Sequence, residues 1–360
     1  MLSESHSRLL LFVGSYAEAG DPGVYLYEVN PSGGEIRALD QATGLKNPTF
    51  LSVDQDNRKL YAIAETSLEG ERIGEVVAFD IDVTAGTLRE LNRKVSIRPS
   101  SSHIQLDRSN RFAAVAGYHG GNVGLVEVMP EGQVGQLLDE RRHEGQGADP
   151  VRQDRPHPHS VTFSPDNRFA LVADLGLDKI TVYAFDQAGG GLAYQSEVST
   201  PPGAGPRHLA FHPNGQWLYS INEVNSSISV FRYDSETGHL ALADTVPTLP
   251  EDYDGENTTA EIAVSTDGRY VYGSNRGHDS IVQFAVDPAS GKLKLVEHVS
   301  SEGGHPRHFA LTPDGGHLIV ANRDDNLLAW FTVNPDDGKL AFTGRIVHVS
   351  KPVCVKPVLL

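Results

Sequence analysis

The chain has 360 residues, a formal charge of −17 at neutral pH and one cysteine, Cys354. The acid excess disfavours nucleic acid and acidic membranes as partners. A lone cysteine rules out an intrachain disulfide, and no window of about 18 apolar residues is available to cross a membrane as a helix. A reducing compartment is permitted, so a cytoplasmic location is expected. Leu9 to Val13 is too short for a signal-peptide core.

Apolar residues fall in short runs that suit strands better than helices. Leu9 to Val13 reads as a second strand with no first strand before it. From Asn47-Pro48 a four-part unit begins. It has a first strand, a turn at Asp56-Asn57, a second strand at Leu60-Tyr61-Ala62-Ile63, an alternating third strand from Glu75 to Phe79, and a short fourth strand at Gly86-Thr87-Leu88. Further units start near Ser101-Ser102-His103, Pro158-His159, Arg207-His208, Ala260-Glu261 and Arg307-His308, and a last one near Lys351-Pro352-Val353. A spacing of about 50 residues is that of four-stranded propeller blades. Asn214-Gly215, Asp267-Gly268 and Asp314-Gly315 supply the positive φ angles of tight turns. Two connections, Leu138 to Arg155 and Pro247 to Thr258, are longer than the rest, and the first is a candidate lid.

The two ends complete each other. Pro352 to Val358 is a first strand with nothing after it, and pairing it with Leu9 to Val13 removes both open edges. The sequence therefore predicts an all-β, seven-bladed β-propeller in a single domain, residues 1–360, with four antiparallel strands per blade and a ring closed by the C-terminal strand. An open solenoid would not explain the incomplete repeat at both ends.

In such a blade the start of strand one and the end of strand two meet at the same end of the central channel. The repeat keeps its apolar frame and varies its polar residues at those two positions. His159, Arg207, His208, Glu261, Arg307 and His308 lie at the starts; Asp174, Glu223, Arg276 and Arg323 lie at the ends. Arginine forks match carboxylate or phosphate, and a cationic concavity focuses an anion. Carboxylates and imidazoles beside them are candidate general bases. The set suits water attack on an ester or lactone, with a cation stabilising the oxyanion. The same arginines could instead bind local acids and seal the channel.

Other templates are absent. There is no Gly-x-Ser-x-Gly elbow, and no Walker loop, His-Glu-x-x-His or Cys-x-x-Cys. His157 and His159 could ligate a metal with His208, but the rest of a ligand set is not visible, and neither a metal nor another cofactor is expected.

Gly205-Pro206-Arg207-His208, Phe211-His212-Pro213-Asn214 and Asn222-Glu223 resemble the lactonase family of seven-bladed propellers. His159-Ser160, Glu261-Ile262 before Thr266-Asp267-Gly268-Arg269, and Pro306-Arg307 match as well. That family includes bacterial propeller-type 6-phosphogluconolactonases and fungal carboxy-muconate lactonizing enzymes. The resemblance implies a metal-independent site whose functional residues fall on His159, Arg207, Glu223 and Arg276. Either Glu223 or His159 would activate water. The surrounding substrate contacts would come from His208, Glu261, Arg307, His308, Arg323 and Asp174. Asn275 and His308 depart from the phosphogluconolactonase pattern.

The expected activity is hydrolysis of a small anionic lactone, 6-phosphogluconolactone of the pentose phosphate route. The alternatives are a cycloisomerase or lactonase for a carboxylated lactone, and a non-catalytic binding platform. The sequence sets no oligomeric state.

Overall fold

Twenty-eight strands and no helix make up the described residues, 7–30 and 35–360, of the computed structural model. They form seven four-stranded antiparallel sheets. Each sheet runs first strand to fourth strand outward from the channel. First strands touch their neighbours in succession all the way round, and Pro352–Leu359 meets both Pro306–Leu311 and Leu51–Asp54. The expected closure is present: Pro352–Leu359 pairs antiparallel with Leu9–Ser15, with Leu9 opposite Leu359 and Val13 opposite Val355.

Position in the blade explains the apolar pattern. Second strands are covered on both faces by adjacent blades, so Phe112–Gly117, Phe169–Asp174 and Trp217–Asn222 are buried along their full length. Fourth strands such as Gly191–Ser199 form the outer wall and are largely exposed. The blades are joined at a repeated point. Tyr61, Tyr219 and Tyr272, all fully buried, donate their hydroxyls to the carbonyls of Gly132, Gly291 and Gly338 in the next blade, at 2.9, 3.1 and 2.6 Å. Burying a tyrosine requires such a partner for its hydroxyl.

The first turns differ in detail from the expectation. Gly215 N–H donates to the His212 carbonyl at 2.9 Å, and only Gly215, not Asn214, has a positive φ (68°). This is a four-residue turn with its left-handed residue in the last place. The fourth strand Val134–Arg142 also runs further than expected, which shortens the connection after it to residues 143–157.

One irregularity positions the site. The ladder between first and second strands slips at the channel mouth in four consecutive blades. Pro158 faces Asp174 but Ser160 faces Ala173, which leaves His159 as an extra residue. Arg207 and Arg307 are extra in the same way. In the blade between them, Ala260 and Glu261 together stand opposite Ser274. A β-bulge bends the strand and re-aims a side chain. Consecutive residues, Arg207-His208 and Arg307-His308, can then both face the same cavity.

Candidate active site

A cavity of about 340 Å³ opens at the bulged end of the channel, lined by His159, Arg207, His208, Glu223, Arg307 and His308 together with Tyr16, Phe50, Glu65, Arg72, Tyr118 and others. Imidazoles crowd around Phe50. The rings of His103, His208 and His308 lie 4.1, 5.7 and 5.5 Å from it, and His159 is 5.2 Å from His208.

Two of these imidazoles are fixed by one carboxylate. His208 Nδ1–H donates to Glu261 Oε2 at 2.9 Å, and its Nε2 accepts from Arg207 Nη1 at 3.2 Å. His308 Nε2–H donates to the same oxygen at 3.1 Å, while its Nδ1 accepts from Val355 N–H at 3.4 Å. Each ring has one donating and one accepting nitrogen, the pattern of neutral imidazole. Burial pushes both below the ordinary value, His308 to about 3 despite the opposing pull of Glu261.

His159 is different. Neither of its ring nitrogens hydrogen-bonds to a described residue, although Nδ1 is buried. Burial, then the charges around it led by Arg207, push it well below the ordinary imidazole value. It is a neutral imidazole with no internal claim on its lone pair.

Glu223 has the opposite surroundings. Its carboxylate accepts from Arg207 Nε at 2.9 Å and pairs with Arg276 Nη2 at 2.8 Å, both on Oε2; Arg152 Nη2 holds Oε1. Burial alone would raise its pKa. Arg276, Arg207 and Arg152 outweigh that and hold it far below the usual carboxylate range. Arg207 is itself pushed down to about 9, by burial and then by the neighbouring Arg276 and Arg307.

The ten residues singled out from the sequence therefore separate into layers. Six line the cavity. Glu261 and Arg276 lie beneath it, Glu261 under the two imidazoles and Arg276 between Glu223 and the Thr259 carbonyl. Asp174 is turned away. Fully buried, it accepts from His157 N–H at 2.7 Å, Gly176 N–H at 3.0 Å and His143 Nδ1 at 2.6 Å. Arg323 pairs with Asp324 at 2.6 Å and lines an adjoining surface groove with Tyr16 and Lys351. His157, considered above as a metal ligand with His159, stacks on Tyr118 and donates to its carbonyl at 2.7 Å.

Three contributors escaped the sequence reading. Phe50 occupies the same repeat position as His103, so aligning the units residue by residue would have found it. Arg72 comes from a hairpin, Lys59–Leu68 with Glu71–Asp82, that extends past its counterparts through polar residues with no apolar alternation to mark it. Arg152 comes from the long connection after residue 142. There, sequence gives no register.

Arg307 makes no ion pair among the described residues; its guanidinium rests over the Tyr16 ring at 5.6 Å. The cavity thus offers a free cation, a neutral base and a set of fixed donors.

A model of the family described as "Lactonase, 7-bladed beta-propeller" matches residues 10–357. A 6-phosphogluconolactonase of Bacillus subtilis is 35% identical over 298 residues, 83% of each chain. One from Formosa agariphila is 32% identical over 307 residues, 84% of this chain and 86% of the other. The structure of a periplasmic gluconolactonase from Pseudomonas aeruginosa superposes with a TM-score of 0.90 at 31% identity, covering 98% of this chain and 99% of that one. With a family model spanning nearly its whole length and relatives of this similarity, the chain belongs to the lactonase family of seven-bladed β-propellers.

Proposed function

We propose that this lactonase hydrolyses 6-phosphogluconolactone to 6-phosphogluconate in the cytoplasm, with His159 as the general base. The observation that carries the base assignment is the pairing pattern. His208 and His308 have both nitrogens engaged, whereas His159 has neither. Glu223, bound by three guanidiniums, is a poor proton acceptor; its work is to hold Arg207 in place.

In this scheme His159 takes a proton as water attacks the lactone carbonyl. The carbonyl oxygen becomes an oxyanion beside Arg207, the foremost charge acting on His159. Collapse breaks the bond to the ring oxygen. That oxygen takes the proton back from His159 and leaves as the open-chain hydroxyl, with the new carboxylic acid losing its proton to solvent. Arg307, which pairs with no acid among the described residues, takes the substrate phosphate.

A second reading, an unphosphorylated gluconolactone, is favoured by the name of the Pseudomonas relative. Both are tested by hydrolysis of each lactone with the spontaneous rate subtracted and EDTA present. Fast, chelator-insensitive turnover with preference for the phosphorylated lactone is expected. Arg307→Met should raise KM for that substrate by about tenfold or more, the size of a charged hydrogen bond, and leave the neutral lactone much less affected. Equal effects would remove Arg307 from the phosphate, and a preference for the neutral lactone would establish the second reading.

A further inference from the structure

Arg152 differs from the other two arginines on Glu223. The side chains of Arg207 and Arg276 are 3% and 5% exposed, but that of Arg152 is 34% exposed. Its backbone is fixed independently of its side chain. Gln153 Nε2 donates to the Leu175 carbonyl and Asp178 Oδ1 at 2.8 and 2.6 Å. Asp149 Oδ1 accepts from the N–H groups of Val151 and Arg152 at 2.8 and 2.9 Å. His143, at the start of the same connection, is held between Asp174 and Tyr183 at 2.6 and 2.9 Å. The loop is a rigid bracket carrying one long, partly exposed cation to the rim. Tyr118, among the groups acting on Arg152, meets the His159 ring edge-on at 5.5 Å.

The charge count indicates what that cation does. Three guanidiniums share one carboxylate, which leaves two positive charges in excess within the group. If Arg152 departs, Glu223 keeps two charged partners, so little is lost. Arg207 and Arg276 have no such freedom, because each is buried and also donates to a carbonyl, of Ala260 and Thr259 respectively. A dianion matches the excess charge and the half-exposed position. We propose that Arg152 is an exchangeable clamp: it leaves Glu223 for the phosphate of a phosphorylated sugar-acid ligand, which it holds together with Arg307. The proposal rests on the phosphorylated-lactone reading. In place of a lid over residues 138–155, the moving part is one side chain on a loop fixed by its own hydrogen bonds.

The test is calorimetric titration of the full-length protein with 6-phosphogluconate and with gluconate, for wild type, Arg152→Gln and Arg152→Lys. Wild type should prefer 6-phosphogluconate. Arg152→Gln should weaken that ligand by about tenfold or more and gluconate much less, with Arg152→Lys between the two. A crystal structure of the wild-type complex, independent of how the variants fold, should show Arg152 on the phosphate and off Glu223. Equal weakening for both ligands, or Arg152 still on Glu223 in the complex, overturns the clamp. A wild-type preference that survives in Arg152→Gln overturns the clamp alone. Absence of any wild-type preference overturns the phosphorylated-lactone reading and the clamp with it.

Discussion

Glu223 and His159 share one cavity and meet opposite surroundings. Three cations stabilise the charged form of the carboxylate, while burial and cations together stabilise the neutral form of the imidazole. The sign of the pH effect follows. An imidazole with a depressed pKa keeps its basic form as pH falls through 6.5, its ordinary value. The acid limb of kcat/KM should therefore lie below 6.5, because that profile reports the free enzyme's essential base. A limb at or above that value would count against His159. Replacing it, His159→Gln, should lower kcat by roughly a hundredfold or more, the usual worth of a general base, with the circular dichroism spectrum unchanged. Both residues were legible in the sequence because they stand at the polar ends of the repeat. Their division of labour was not. It depends on how the charges pair across blades: Arg207 and Arg276 hold Glu223, while Glu261 occupies the other two imidazoles.

At the scale of the strand, two devices do most of the organising. The bulges at His159, Arg207 and Arg307 turn an alternating strand into one that presents adjacent side chains. The glycine joints lock blade to blade. Gly291 has a φ of 66°, its carbonyl accepts from Tyr219, and an added Cβ would sit 2.2 Å from the Trp217 ring. Both the backbone strain and the clash point the same way, so Gly291→Ala should cost at least about 1–3 kcal/mol. Chemical denaturation measures this directly; an unchanged midpoint would show that the joint tolerates a side chain. The strands themselves were readable from apolar runs and turn pairs. The bulges were not, because a bulge is a relation between two backbones and adds no distinctive residue to either. The extended hairpin carrying Arg72 was hidden for a related reason: in its outer half Ile73 is the one buried apolar side chain, too little to form a pattern.

For the molecule as a whole, the ring depends on its last strand. Val353, Val355 and Val358 are all buried, and each contributes about 1.5–3 kcal/mol when removed from water. Together they rival the roughly 5–15 kcal/mol that separates folded from unfolded domains. A chain ending at Lys351 should lose its cooperative melting transition. Thermal denaturation of that truncation at the wild-type temperature would sink the closure argument. Closure was foreseeable because the repeat is incomplete at both ends. The substrate cavity was only partly foreseeable, since the loop after residue 142 has no repeat to align with.

The pairing of Leu9 with Leu359 also has a consequence for biosynthesis. The strand Leu9–Ser15 leaves the ribosome well before its partner Pro352–Leu359, because the other six blades are synthesised between them. Until that partner emerges, the first blade lacks its innermost strand and presents an unpaired apolar edge. Such edges template association between chains, and so long-range a contact forms slowly. Slower translation should lengthen that window, making the yield of soluble protein depend on how quickly Pro352–Leu359 emerges.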